Sequence, residues 1–119
     1  MANPFVWFDL RTGDRTAARG FYERLLGWEI NEIPMGDVAL DMIGGAEPWA
    51  AIGAPPLADG HAQWVPYVQV ADVDAAAARA VQLGGRVLAP KVDGGPGWFT
   101  TVADPTGAAV ALWQAKPAS

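Results

Sequence analysis

The sequence predicts an α+β domain made of two copies of one strand–helix–strand–strand–strand unit. Three observations carry this. Strand-like runs at residues 5–10 and 65–70 lead into aspartates, Asp14 and Asp72, that lie 58 residues apart. Each aspartate opens an alanine-containing helical stretch, ending at Leu26-Gly27 in one half and Leu83-Gly84 in the other. Further strand-like segments then follow each helix, separated by short glycine- and proline-marked turns.

The elements follow in order. Residues 5–10 are a first strand. Asp14 suits a helix N-cap, because its carboxylate can accept from the free amides of the first turn. Ala18, Phe21, Tyr22, Leu25 and Leu26 fall at helical spacing and predict one apolar stripe, with Arg15, Arg19, Glu23 and Arg24 mostly off it. Gly27 tolerates the left-handed conformation that ends a helix. Strands are expected at 28–33, 38–43 and 47–52, where Pro48 fits only a strand start or an edge. The second half repeats the plan. A strand at 65–70 carries Pro66, which fits an edge or a bulge. Asp72 caps a helix bearing Val73, Ala76, Ala77, Ala80 and Val81. Alanine gives high helix propensity but a thin stripe, so this helix can sit close to its sheet. Strands at 86–90, 98–103 and 109–114 complete the unit, the last two joined by the turn signal Asp104-Pro105-Thr106-Gly107. A helix should cover one face of each sheet, leaving the other faces to form a concavity.

The 119 residues suffice for a single domain, 1–119, with a first unit at about 4–53, a linker at 54–63 and a second unit at about 64–115. A half of this size has a marginal core alone, so the halves should pack together or against a partner chain. The tail from Lys116 reads as frayed. Hydrophobic residues make up 51% and charged residues 18%. No apolar run approaches the roughly 20 residues of a membrane span. Thirteen acidic and eight basic side chains leave a net charge of −5, and the basic residues are scattered. Neither nucleic acid nor an anionic membrane is an expected partner. There is no cysteine, which excludes disulfides and thiolate chemistry. The first ten residues have no charged region followed by an apolar core of the signal-peptide kind, so a cytoplasmic protein is the default expectation.

Three segments together resemble the vicinal oxygen chelate superfamily, the group of glyoxalase I, the bleomycin-resistance proteins and the extradiol dioxygenases. They are Val6-Trp-Phe-Asp-Leu-Arg-Thr-Gly-Asp14 with Phe21-Tyr22 and Leu26-Gly27-Trp28; Val68-Gln-Val-Ala-Asp72-Val-Asp74 running to Leu83-Gly-Gly85; and Asp104-Pro-Thr-Gly107 to Leu112-Trp113. The resemblance covers nearly the whole chain. It implies two βαβββ units, each curled into a half-barrel, that enclose a cup for a small molecule. It also implies a homodimer, because such units often pair between chains.

Metal-dependent members of that superfamily hold an ion with four His or Glu side chains in the cup. By resemblance, those positions fall here on Trp7, Val65, Ala111 and either Ala50 or Ala51. None can ligate a metal through its side chain. The one histidine, His61, lies in the linker. The expectation is therefore no metal and no cofactor. Asp9, Asp41 and Glu47 are the carboxylates in or at the start of strands; solvated edge positions are the plain reading for Asp41 and Glu47. Strand alternation puts Asp9 on the face of Trp7, where it is a candidate ligand acceptor or general base, or else the partner of a buried arginine. The same alternation puts Tyr67 and Gln69 with Val65, and Trp113 with Ala111. The expected cup is lined by Trp7, Tyr67, Trp113, Trp49 and Trp98 over a floor at Ala111. Six tryptophans are many for this length, and large rings over a cleft suit flat apolar or cationic ligands. Trp28 reads as core. Gly94-Gly95-Pro96-Gly97 reads as a turn, or as a lip that closes over a ligand.

Three functions compete on this reading. The first is metal-independent binding of a small aromatic or apolar molecule, as in antibiotic sequestration. The second is an enzyme of the same fold that works without the usual metal and uses Asp9, Tyr67 or Gln69 for proton transfer. The third is a structural member whose cup is filled by its own side chains.

Overall fold

Both helices start where an aspartate takes up a free amide, as the sequence predicts. A computed structural model describes residues 3–58 and 60–117. The Asp14 carboxylate accepts from Ala17 N at 3.0 Å, and the Asp72 carboxylate accepts from Ala75 N at 3.0 Å. The element order is β1 (Phe5–Arg11), α1 (Arg15–Leu26), β2 (Ile30–Met35), β3 (Val38–Ile43), β4 (Ala50–Ala54), β5 (Gln63–Gln69), α2 (Val73–Gln82), β6 (Arg86–Asp93), β7 (Gly97–Ala103) and β8 (Ala109–Ala115). This is βαβββ twice, the expected α+β plan. Gly27, at φ 67°, ends α1 and returns its amide to Glu23 O.

The chain divides into two compact units. One is Trp7–Val65; the other joins the segment ending at Val6 to the chain from Pro66 onward. In the first, the strand order is β2-β3-β4-β1, with β1 parallel to β4 and the other pairs antiparallel. In the second, the order is β5-β8-β7-β6, with β5 parallel to β8 and the rest antiparallel. Among the described residues, no helix is long and apolar enough to cross a membrane.

The core of the first unit is Leu10, Ile30, Ile43, Ala50 and Ile52, with Phe8, Ala18, Tyr22, Trp28 and Trp64 packed against it. Asp41 lies on this same face, because it pairs with Ile52, which pairs with Leu10. It is only 1% exposed, so the solvated position expected for it is wrong. Arg19 Nη1 lies 2.8 Å from its Oδ1 and Arg15 Nη1 lies 3.1 Å from the same atom. Arg19 also donates to Ile30 O at 2.9 Å. This pairing corrects the predicted helix stripe. A carboxylate buried without its cation costs about 3–5 kcal/mol. The turn of α1 that meets the sheet therefore presents Arg15, Ala18, Arg19 and Tyr22. Phe21, Leu25 and Leu26 are left 56%, 61% and 50% exposed.

Some strand ends also move. β2 starts at Ile30 because Trp28 turns inward, stacking on Tyr22 with centroids 5.2 Å apart. β4 starts at Ala50 because the preceding segment is a turn: Glu47 N donates to Gly44 O and Trp49 N to Ile43 O. Glu47 is an exposed turn residue rather than the start of a strand. His61 lies between β4 and β5, as does Leu57, which is buried.

In the second unit, Val73 opens α2 fully buried, and its amide donates to Gln114 Oε1 at 2.9 Å. Gln114 thus marks the helix-covered face of β8. Lys116 is held rather than frayed. Its amide donates to Pro96 O at 2.8 Å and its ammonium pairs with Asp93 at 2.8 Å. Residues 118–119, including Ser119, lie outside the described residues.

Candidate functional site

The face of the first unit turned away from α1 carries the residues that alternate with Phe8 and Leu10. Trp7 and Asp9 share it as expected, and the Trp7 indole donates to Asp9 Oδ1 at 2.8 Å. Asp9 pairs in register with Ala51, which pairs with Met42. Ala51 is therefore the β4 residue of this face, while Ala50, opposite Phe8, belongs to the core. Asp41 points to the other side of the sheet and Glu47 sits on a turn. The three strand carboxylates do not converge. Among the described residues, no three His, Asp or Glu side chains form a metal-binding group.

The face of the second unit turned away from α2 is aromatic. One row across the sheet is Tyr67, Ala111 and Thr101; the next is Gln69, Trp113 and Phe99. Tyr67 lies 5.2 Å from Phe99 and 6.2 Å from Trp113 between ring centroids, and Phe99 lies 6.3 Å from Trp113. Ala111, fully buried, keeps the row between these rings shallow. Sequence reasoning missed Phe99. Counting residues back across the Asp104–Gly107 turn would have found it opposite Trp113. It missed Thr101 too, whose Oγ1 is buried without a hydrogen-bond partner among the described residues. Gln69 is exposed at the end of β5. The turn at 94–97 lies against Trp113: a Cβ on Gly97 would sit 2.5 Å from Trp113 Cζ2, and one on Gly94 would sit 3.3 Å from Cζ3.

Two expected cup residues lie elsewhere. Trp98 pairs in register with Gln114, which places it on the α2 side. There Lys91 Nζ and Lys116 Nζ lie 5.4 and 5.3 Å from its ring. Trp49 packs edge-on against Phe8 and Trp28, at 6.4 and 4.9 Å, on the opposite side of β1 from Trp7. Alternation could not place Trp49, because it sits just outside a strand. For Trp98, the register that puts Gln114 on α2 decides the face.

Charges near these faces are set by local partners. The Asp93 carboxyl is held below its ordinary range, first by Lys116 and then by the Gly95 amide. Asp104 is lowered by the Thr106 hydroxyl, then by the amides of Ala108 and Thr106. The Arg15 guanidinium is pushed up, first by its hydrogen bond to Glu32; loss of solvation opposes this, and the charges of Asp41 and Glu32 add to the rise.

The glyoxalase-like domain family matches residues 6–113. The chain belongs to that family. A glyoxalase-like relative from Mycobacterium bovis, named "Putative glyoxylase CFP32", is 39% identical over 92% of this chain and 45% of its own length. The anthracycline biosynthesis protein DauV of Streptomyces sp. is 32% identical over 95% of this chain and 43% of its own length. The chain thus spans less than half the length of these curated relatives. Among solved structures, a methylmalonyl-CoA epimerase from Streptomyces coelicolor matches with TM-score 0.62 and 18% identity, covering 98% of this chain and all of that one. A hypothetical protein from Bacillus halodurans matches with TM-score 0.65 and 9% identity, covering 100% of this chain and 99% of that one. At such identities these two structures share the fold and nothing finer. The glyoxalase-like fold of this chain therefore agrees with the superfamily resemblance. The positions that resemblance assigns to metal ligands are Trp7, Val65, Ala51 and Ala111 here. Their indole, isopropyl and methyl groups offer no lone pair for a metal ion, so these residues do not fit the metal.

Proposed function

We propose that this glyoxalase-like protein binds a small aromatic or apolar molecule without a metal, in the manner of antibiotic sequestration, using the face of Tyr67, Phe99, Ala111 and Trp113. The observation that carries the reading is the ring cluster around Ala111, one of the positions the resemblance assigns to a metal ligand. Stacking on rigid rings supplies affinity, and a few polar groups supply orientation. Gln69 at the rim and the buried Thr101 hydroxyl are the polar groups in reach of the same rows. The kinship with a protein named for anthracycline biosynthesis favours a planar aromatic ligand.

A panel of planar aromatic compounds tests this by tryptophan fluorescence. At least one should quench saturably, and Trp113→Ala should weaken its binding roughly three- to tenfold. No saturable quenching across the panel, or binding unchanged in Trp113→Ala, overturns the reading.

A second reading is favoured by the hydrogen bond that holds Asp9. A carboxylate held by an indole N–H can serve as a general base, which supports an enzyme without the usual metal as the alternative. Tyr67 or Gln69 is the other candidate for that proton transfer. Turnover of a bound compound distinguishes this from simple binding.

We also propose that the protein is a homodimer acting in the cytoplasm, with neither nucleic acid nor membrane as partner. Exposed Phe21, Leu25 and Leu26 on α1 offer apolar surface to a second copy. The curated relatives, about twice as long, have room for a second such half within one chain.

A further inference from the structure

We propose that the α1 side of the first unit holds a separate binding site for a small organic cation of the quaternary ammonium class. It is an open depression of about 230 Å³ lined by Phe8, Trp28, Trp49 and Trp64. None of these rings belongs to the aromatic face of the proposed function, and the inference does not depend on that function.

The rings meet edge to face, at steep angles, as walls of an open box. Trp49 stands at 88° to Trp28, Trp64 at 82° to Trp28, and Phe8 at 75° to Trp49. The walls are fixed before any ligand arrives. Trp64 Nε1 donates to Tyr22 Oη at 2.9 Å, and Tyr22 stacks on Trp28 at 11°. Trp49, 40% exposed, forms the accessible edge. A cation within about 6 Å of several ring faces is attracted by each ring quadrupole, and it enters the box without losing hydrogen bonds that apolar walls could not replace if it is a quaternary ammonium. The volume is below the roughly 300–1,000 Å³ of sites for drug-sized ligands, which restricts the occupant to a small head group.

The charge at the mouth favours a cation over a neutral ligand. The twin glycines Gly44-Gly45 bring a ring and a carboxylate onto adjacent residues. Gly44, at φ 119°, admits Trp49, whose Cδ1 would lie 2.6 Å from a Cβ there. Gly45, at φ 64°, lies against the Glu29 carboxylate where a Cβ would otherwise stand. Glu47 joins the same turn through its amide bond to Gly44 O, and Gly44 N donates to Glu29 O. The exposed Glu29 carboxylate thus lies beside the residue next to the one that admits Trp49, and Glu47 is exposed on the same turn. Within the second unit the chain already pairs ammonium groups with an indole, at Trp98.

The test titrates choline, and in parallel its uncharged carbon isostere dimethylbutanol, at constant ionic strength. Indole N–H NMR signals of the whole chain are the readout. Choline should shift the signals of Trp28, Trp49 and Trp64 saturably and bind at least about tenfold more tightly than the isostere. Trp49→Ala should abolish the shifts and Trp49→Phe should keep most of the affinity. The surface double variant Glu29→Gln/Glu47→Gln, which touches no core residue, should weaken choline several-fold and leave the isostere unchanged. Equal binding of the two compounds overturns the charge recognition. Saturable shifts confined to other tryptophans, or no shifts up to high millimolar choline, overturn the site.

Discussion

Asp41 shows how one side chain can reset the reading of a whole helix. Its place in an apolar-flanked strand, Val38-Ala-Leu-Asp-Met-Ile43, is legible in the sequence, but the face it takes is not. Register pairs it with Ile52 and so buries it beneath α1, where Arg19 and Arg15 meet the same oxygen. Asp9, on β1, falls on the other face of the same unit and is held by an indole instead. The pairing makes a stability prediction. Arg19→Met removes the 2.8 Å partner and should lower the unfolding free energy by about 1–3 kcal/mol in urea titrations. Adding Asp41→Leu should recover much of the loss, because an apolar side chain needs no cation there. If the double variant is as unstable as the additive expectation, the two residues are not coupled as described.

At the scale of elements, helix starts and stops were legible because they depend on neighbours within a few residues. Asp14, Asp72 and Gly27 act where the sequence placed them. The turn at Asp104–Gly107 was legible for the same reason, and its chemistry predicts a response to acid. The Asp104 carboxyl accepts from the Thr106 hydroxyl at 2.6 Å, from Thr106 N at 2.8 Å and from Ala108 N at 3.1 Å. These bonds lower its folded-state pKa below the value of about 3.9 in an unfolded chain. The stabilisation is thus fully present above about pH 4 and is lost as pH falls through the lower folded-state value. Thermal melts from pH 7 to pH 3 should show a fall in Tm confined to the acidic end. Asp104→Asn should start lower and show a shallower fall. An equal acid slope in the variant would remove Asp104 from the account. The strand at 47–52 was less legible, because Pro48 and Trp49 belong to a turn whose bonds run to Ile43 and Gly44 in another strand.

For the whole molecule, the exposed apolar side chains of α1 are the largest departure from what periodicity predicts. Phe21, Leu25 and Leu26 have the spacing of a buried stripe yet remain on the surface. As a homodimer in solution, the protein should elute with light-scattering mass near twice its 12.5 kDa, and Phe21→Asp/Leu25→Glu should shift it to monomer without unfolding it. A monomer at all concentrations tested would remove the dimer from the proposal.

The amino-acid sequence by itself determined the two βαβββ units, their caps, the Asp104 turn and the residue types at the positions that the superfamily resemblance assigns to metal ligands. Those properties rest on local conformational preference and on residue identity, which need no long-range contact to be read. Only the tertiary structure decided which tryptophans share a surface. It put Trp113 with Tyr67 and Phe99, put Trp49 with Phe8, Trp28 and Trp64, and set Trp98 between two lysines. Strand register and the burial of one charged residue make that choice, and both are settled by residues far apart in the chain.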